Sequence, residues 1–443
     1  MALTHLKKSD PQLLKYIQEE AIRQKEGLEM IPSENYTSAA VRECNGSILT
    51  NKYSEGYPHK RYYGGNEYID EIEDLARERA KKLFGVEHVN VQPYSGSPAN
   101  FAVYVALCQA GDSVMGLSLT EGGHLTHGWS ASATGKYFNT ALYGVKKDGH
   151  VDIDQVWKLA KEHKPKLIWM GATAYMFEYE FDKFADIADS VGAYLAADIA
   201  HVAGLVVAGV HMSPVPYAHI VTTTTHKTLR GPRGGMIMVT KRGLEKDPEL
   251  AKKIDQAVFP GLQGGPHDHQ TAAIATALLE ASTPEFKKYG AQIVKNAKAL
   301  AEELKKNGIK LVGNGTENHL LLLDLTNVFG PGGGAFASDA MGVAGITVNK
   351  NTIPQEPMSP FYPSGVRLGT PALTSRGVKE KDMKKIGKWI AEAIEAVSDF
   401  KMPTEKELRK DYLANFRNEV VKNKKLLAIH KEVKNFARTL YLP

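Results

Sequence analysis

Thr222-Thr223-Thr224-Thr225-His226-Lys227 puts a lysine where its amine can act as a nucleophile. Four β-branched residues favour an extended strand, and Ile220-Val221 before them mark that strand as buried. Behind Lys227 comes a turn, residues 228–235, rich in Gly and carrying Arg230 and Arg233. An amine at the exit of a buried strand, beside cations, falls below its free pKa of about 10.4, because desolvation and like charge both disfavour the ammonium. Such a lysine can form a Schiff base with a carbonyl compound or with pyridoxal phosphate. A lone lysine on a turn is ordinarily a surface residue; the Thr run and the Gly/Arg turn are what change the reading.

Other segments carry compatible chemistry. Tyr94-Ser95-Gly96-Ser97-Pro98 lies between a predicted strand and a predicted helix. Ser and Gly amides at a helix N-terminus bind phosphate, because unpaired N–H groups and the helix dipole point at the anion; an ordinary helix cap is the competing reading. There is no nucleotide-type Gly-x-Gly-x-x-Gly after a strand and no Gly-Lys-Thr P-loop, so a single phosphate ester fits better than a dinucleotide or triphosphate. Asp198 and His201 stand at the carboxyl end of a predicted strand, the edge where open α/β sheets bind ligands. An Asp there can keep a pyridinium nitrogen protonated and make the ring an electron sink, or it can cap the next turn. Gly122-Gly123-His124-Leu125-Thr126-His127-Gly128 sets two histidines in a glycine loop. With no carboxylate or third His at helical spacing, metal is not expected; an imidazole stacked on a flat cofactor, or a loop histidine bonded to backbone, remains. Tyr53, Glu55, Tyr57, Arg61, Tyr62 and Tyr63 crowd an irregular stretch, and Arg367 stands alone among small and apolar residues. A guanidinium in such a setting suits a carboxylate.

These groups need a scaffold, and the chain supplies one. At 443 residues, with 43% hydrophobic and 24% charged residues, it reads as a soluble globular protein of two domains. No apolar run approaches a membrane span, and the opening Met-Ala-Leu-Thr-His-Leu-Lys-Lys has no apolar leader core. Cys44 and Cys108 form no disulfide or metal framework, so a reducing, cytoplasmic setting is expected. Residues 401–443 hold 11 Lys/Arg against 5 Asp/Glu, and the remainder 44 against 45, so the net charge of +5 lies in the tail. Leu408, Tyr412, Leu413, Phe416, Val420 and Val421 at helical spacing make that tail an amphipathic helix with a solvated basic face, rather than a nucleic-acid arm.

Helices are predicted over residues 10–27, 68–84, 98–110, 153–163, 181–191, 267–281 and 285–307, and strands over 89–91, 113–117, 166–170, 193–198 and 220–225. Residues 28–65 read as irregular. Strand–helix alternation predicts a mostly parallel sheet covered on both faces. The expected division is a helical arm over 1–30, a large domain over 31–281 and a smaller α+β domain over 282–443, with short strands at 309–312 and 320–325 and a glycine loop at 330–334.

From about residue 31 to 396 the chain resembles the serine hydroxymethyltransferases, fold-type I pyridoxal-phosphate enzymes of the aspartate aminotransferase type, with a sheet of the seven-stranded kind. The likeness rests on residues 31–36, 50–53, 61–65, 122–128, 222–235, 259–267 and 367–371. It implies pyridoxal 5′-phosphate held covalently on Lys227, with Asp198 on the ring nitrogen, His124 stacked on the ring, and His201 and Thr173 near its phenolic oxygen. Ser95, Gly96, Ser97 and His226 would hold the phosphate, with Tyr53 and Gly261 reaching it from the neighbouring subunit. Ser33, His201 and Arg367 would bind substrate; Glu55, also from the neighbour, would be the acid/base group, with Tyr63 and Thr224 as further catalytic positions. Leu119, Gly123, Leu125 and Asn351 would meet tetrahydrofolate. Sites shared between subunits imply a homodimer, or a tetramer.

The implied reaction interconverts serine and glycine with tetrahydrofolate as the one-carbon acceptor. A folate-independent β-hydroxy amino acid aldolase or transaldolase is the alternative, and Glu55 with the Gly123/Leu125 loop favours the first. Five positions depart from the family pattern: Tyr94 for His, Thr173 for Ser, Met176-Phe177 for Pro-Arg, and Met358 for a basic residue. Met358 weakens the expectation of a tightly bound polyglutamate tail, and Met176-Phe177 is expected to alter the pocket wall.

Overall fold

The computed structural model describes residues 3–443. Its main sheet contains β1 (His88–Asn90), β2 (Ser113–Leu117), β3 (Asn139–Tyr143), β4 (Leu167–Gly171), β5 (Tyr194–Asp198), β6 (Ile220–Thr224) and β7 (Gly235–Val239). The seven strands lie in the order β1-β7-β6-β5-β4-β2-β3. Only β7 runs against its neighbours, pairing antiparallel with both β6 and β1. Strands β4, β6 and β7 are buried along their whole length and β5 everywhere but Tyr194, as a sheet covered on both faces requires. The carboxyl ends of β2, β4, β5 and β6 therefore form one edge, and Asp198 and the Lys227 loop both sit on it.

Two strands of this sheet were not expected. Gly235-Met-Ile-Met-Val239 is an apolar run directly behind the Gly/Arg turn, and it returns beside β6 with Thr222 opposite Ile237. The turn is thus the closed end of an antiparallel pair, which holds Lys227 more tightly than a free loop would. Asn139–Tyr143 is an edge strand whose half-exposed pattern hides it. The 28–65 stretch is also more regular than expected: Ser38 caps a helix, Ala39–Asn45, and Gly56–Tyr57 pairs with Lys60–Arg61. Arg61 is bonded to Asp70 and Glu73 at 2.8 Å each, so it is an internal tie.

A second sheet contains β8 (Lys310–Leu311), β9 (Leu320–Asp324), β10 (Asn349–Asn351) and β11 (Gly365–Gly369), ordered β8-β9-β11-β10 and antiparallel throughout. Alternate residues of β9 point to opposite faces: Leu320 and Leu322 join the core of the main sheet, Leu321 and Leu323 a second core. The helix Pro284–Lys306 spans both cores, with Phe286, Tyr289 and Ile293 in the first and Leu300 and Leu304 in the second.

The tail folds as two helices, Arg409–Val420 and Lys424–Thr439, which bury Leu413, Phe416, Val420, Leu426, Ile429, Val433 and Ala437 in the second core. Leu408 and Val421, expected on the apolar face, are exposed. Several tail cations are paired: Arg417 with Asp339, Lys425 with Glu395, and Lys434 and Arg438 with Glu26.

Arg376 ties the two ends of the chain together. It is 1% exposed, and its guanidinium donates to the carbonyls of Gln24, Lys25, Gly27, Ala437 and Tyr441 at 2.6–3.2 Å. All five of its N–H donors are spent on carbonyls at the ends of two helices. Arg376→Leu is expected to cost about 3–5 kcal/mol, since each buried acceptor left unpaired costs about 1–3 kcal/mol. Urea unfolding at one fixed protein concentration reads this; a loss below about 1 kcal/mol would show the clamp to be dispensable.

Candidate active site

Asp198 ends β5 and is surrounded by donors. Its Oδ2 accepts from Asn100 Nδ2 at 2.8 Å and lies 3.2 Å from His127 Nε2; its Oδ1 accepts the Ala200 N–H at 3.0 Å. Burial alone would raise its pKa, but the His127 hydrogen bond and the charges of His127, His124 and Lys227 outweigh it and hold the carboxyl well below the usual range. Asn100 is itself oriented, because its Oδ1 accepts from Thr222 Oγ1 at 2.7 Å. His127 stacks on Trp169 at 5.1 Å.

The ligand atoms of His124, His127 and Asp198 lie within 4.8 Å of one another. The carboxylate that local spacing did not offer the 124–127 loop comes from β5. His127 has no nitrogen left for an ion in this arrangement: Nδ1 accepts the His124 N–H at 3.4 Å and Nε2 faces Asp198. His124 Nδ1 bonds Thr126 Oγ1 at 2.6 Å. Burial and the nearby charges of His127 and Lys227 bring the His124 pKa down to about 4, against the pull of Asp198, so a neutral imidazole stands beside the carboxylate.

Lys227 is buried, and its backbone carbonyl accepts from Asn35 Nδ2 at 2.9 Å. Asn35 is held in turn by Tyr289 and Ser375. Burial, with Arg367 and Arg233 adding like charge and Asp198 opposing, lowers the Lys227 amine to about 8. At pH 7 roughly one molecule in ten then carries the neutral, nucleophilic amine, against roughly one in three thousand for an unperturbed lysine. The rate at which cofactor-free protein captures pyridoxal phosphate should therefore climb with pH up to about 8 and then level off. A stopped-flow series from pH 6 to 10 checks this; a rise continuing to pH 10 would mean the amine is unperturbed.

The phosphate end of such a ligand also has a place. The helix Gly96–Leu107 begins at Ser95 with no side-chain cap, leaving first-turn N–H groups unspent. A Cβ on Gly96 would come within 2.7 Å of Thr224 Cγ2, so only glycine lets this turn close on β6. Thr224 Oγ1 and His226 Nδ1 are buried without partners. Burial and the Arg233 and Lys227 charges keep His226 neutral by lowering it to about 3. Unspent amides, two orphaned polar atoms and a low-pKa lysine fit the phosphate and aldehyde of pyridoxal phosphate.

Arg367 lies in the centre of β11, between Leu322 and Asn349. It donates to the Thr173 carbonyl and to Asn349 Oδ1 at 3.2 Å, and burial lowers it to about 10. Thr173 reaches back to the glycine loop, bonding the carbonyls of Gly122 and Gly123. Ser33 follows Pro32, which packs on Gly369 of the same strand. His201 is buried against His319, and Lys227 and Arg367 act on both rings. The 119–125 loop approaches β10 through Thr352 Oγ1, which donates to the Thr120 carbonyl; Leu119 and Asn351 are half-buried and Leu125 is exposed. Gly123 has no room for a side chain, since a Cβ would sit 1.9 Å from the Leu117 carbonyl.

A second group forms apart from Lys227. Tyr53 donates to Glu55 at 3.1 Å, meets Tyr63 edge-on at 5.0 Å, and packs near Gly264 and Gly265. Gly261 lies against residues 256–257 of the preceding helix. Among the described residues, Glu55 makes no hydrogen bond to Lys227, Asp198 or Arg367. Tyr94 bridges this group to the Ser95–Gly96 turn: it stacks on His267 at 4.2 Å and donates to the Gly265 carbonyl. Of the other departures, Phe177 is buried against His150 at 3.7 Å and close to Gly313. Met176 lies near Gly149, and Met358 packs beside Gly332. The sequence assigns no role to Asn35, Asn100, Thr222, His127 or His319; the partners that place them at the site are more than 20 residues away, apart from the His124–His127 contact, so no local pattern marks them.

Comparison with known proteins agrees with this geometry. The family model for serine hydroxymethyltransferase matches residues 6–390. A serine hydroxymethyltransferase of Sorangium cellulosum (strain So ce56) is 56% identical over 398 residues, 90% of this chain and 92% of the relative. Another from Acidothermus cellulolyticus (strain ATCC 43068 / DSM 8971 / 11B) is 55% identical over 397 residues, 89% of this chain and 91% of the relative. On a match across most of its length and on relatives of 55–56% identity, the chain belongs to the serine hydroxymethyltransferase family.

Proposed function

We propose that this protein transfers the hydroxymethyl carbon of L-serine reversibly to tetrahydrofolate, giving glycine and 5,10-methylenetetrahydrofolate, with pyridoxal 5′-phosphate on Lys227. The observation that carries the reading is the pairing, on one sheet edge, of a lysine lowered to about 8 with an aspartate held ionised. When bound, the cofactor supplies an electron sink for the bonds at the substrate Cα.

The chain's own groups do the rest. Asp198 holds a proton on the ring nitrogen by staying ionised. Neutral His124 can stack on the ring face. Ser95, Gly96, Ser97, Thr224 and His226 receive the phosphate. Arg367, with Ser33 and His201 nearby, takes the substrate carboxylate as a charge-assisted bond, and Thr173 couples that arginine to the folate-side loop. Leu119, Gly123, Leu125 and Asn351 form the folate contact. Glu55 moves the proton at the substrate hydroxyl, and Tyr53, Tyr63 and Gly261 act with it, all supplied by the neighbouring copy in a homodimer or tetramer. Two facts support that sharing: Glu55 makes no hydrogen bond to its own Lys227, and Tyr53, Tyr62 and Tyr63 of the same stretch are exposed. The assembly is cytoplasmic in this reading. Among the described residues, no helix is long and apolar enough to cross a membrane. The division into an arm over 1–30, a cofactor domain over 31–281 and a small domain over 282–443 is part of the same reading.

Arg367→Ala tests the substrate assignment. Loss of a buried charge-assisted partner is worth roughly 2–5 kcal/mol, so the Michaelis constant for serine should rise at least about 30-fold. Pyridoxal phosphate affinity should change little. Near-normal serine affinity would show that another group binds the carboxylate.

A further inference from the structure

Two buried imidazoles from different sheets meet beside Lys227. His201 follows β5 and His319 precedes β9; His201 Nδ1 lies 3.2 Å from His319 Nε2, with ring centroids 5.5 Å apart and planes at 28°. They are 3% and 1% exposed. We propose that His319 is a positioning residue that locks His201 in the tautomer with its proton on Nε2, so that His201 presents a hydrogen-bond donor, never an acceptor, to the ligand beside Lys227. The identity of that ligand rests on the function proposed above; the tautomer does not.

The assignment follows from counting protons. A neutral imidazole has one N–H and one lone pair. Both rings are kept neutral by burial and by the Lys227 and Arg367 cations. One proton must lie between His201 Nδ1 and His319 Nε2. If His201 supplied it, His319 would carry its own proton on Nδ1, and that atom is buried with no partner. Orphaned buried N–H groups are rarer than under-satisfied acceptors. If His319 supplies it, only a lone pair is stranded, and the His201 proton moves to Nε2, which has no hydrogen bond within the chain. A ligand carboxylate or phenolic oxygen is the acceptor that completes it.

The backbone holds both rings in place. The His201 carbonyl accepts from Thr228 Oγ1 at 3.0 Å. The His319 carbonyl accepts the Thr370 N–H at 3.1 Å. Its neighbour Asn318 bonds the Tyr175 and Phe177 carbonyls at 2.9 and 3.1 Å and caps the Leu320 N–H at 3.0 Å. The pair therefore links the two sheets at the site and cannot easily turn away.

The test uses full-length protein with ¹⁵N-labelled histidine, cofactor-free and loaded with pyridoxal phosphate. His201→Asn assigns the His201 signals by their loss. The expected wild-type spectrum shows His201 protonated on Nε2 in both forms. His319→Gln, whose amide can donate from nearly the same position, should keep that tautomer and stay within about threefold of wild-type kcat/KM for serine. His319→Leu should show a tautomer mixture and lose about tenfold or more, the scale of losing a group that orients a functional imidazole. A wild-type His201 protonated on Nδ1, or an unchanged tautomer in His319→Leu, would overturn the proposal. If His319→Leu does not fold, the wild-type tautomer decides alone. Wild-type protein that shows the expected tautomer but does not cleave serine would count against the proposed function and leave this assignment standing.

Discussion

Asp198→Asn is expected to lower turnover on the order of 10²–10³-fold or more, the scale of removing a preorganised charge from an active site, with most of the fold retained. Every group that Asp198 meets is a donor: Asn100 Nδ2 and His127 on one oxygen, the Ala200 N–H on the other. Thr222 fixes the Asn100 amide so that it cannot turn to accept. An asparagine would have to aim its own NH₂ at one of these donors whichever way it flipped. One buried donor is then unpaired, at about 1–3 kcal/mol, and no negative charge remains to keep a ring nitrogen protonated. The sign of the pH effect follows from the same contacts. The Asp198 pKa is lowered in the fold, so its stabilisation is present above the unfolded value of about 3.9 and is lost only as pH falls through the lower folded value. The Asp198 carboxylate is thus ionised at neutral pH. Unchanged turnover in Asp198→Asn would mean that another residue serves the ring nitrogen.

Lys227→Arg is expected to abolish covalent retention of pyridoxal phosphate. A guanidinium stays protonated and is no nucleophile. The fold already resists a charge at this position, since burial is the largest cause of the lowered lysine pKa. Arginine cannot neutralise itself there, so the variant also carries a permanent buried cation that Asp198 offsets only in part. Borohydride reduction followed by mass spectrometry separates the cases. The wild-type peptide holding residues 220–230 should carry the reduced cofactor, and the variant peptide should not. A variant still labelled at another lysine, with serine turnover intact, would remove Lys227 from its role.

What could be read from the sequence were the groups whose chemistry is local. Lys227 was marked by the Thr run before it, Ser95-Gly96-Ser97 by a strand-to-helix turn, and Asp198 by its place at a strand end. The strand Gly235–Val239 was hidden because its apolar run is short and abuts a Gly/Arg turn. Asn139–Tyr143 was hidden because only alternate residues are buried. Asn35, Asn100 and His319 give no local signal, since each acts on a residue that the fold brings from 98 or more positions away. The metal question shows the same limit: spacing offered the His124–His127 pair no carboxylate, and the sheet supplied Asp198. The long-range ties surround the candidate groups, so a single chain read in order finds those candidates before the residues that hold them.

The most direct measurement is glycine formed from L-serine by purified, cofactor-loaded protein, with and without tetrahydrofolate, beside cleavage of a bulkier β-hydroxy amino acid such as allo-threonine. Glycine formation from serine should depend on tetrahydrofolate and produce methylenetetrahydrofolate in equal amount, while cleavage of the bulkier substrate needs no folate. Serine cleavage equally fast without tetrahydrofolate, or no serine cleavage beside rapid aldol cleavage of the bulkier substrate, would contradict the one-carbon transfer and leave an aldolase on this scaffold.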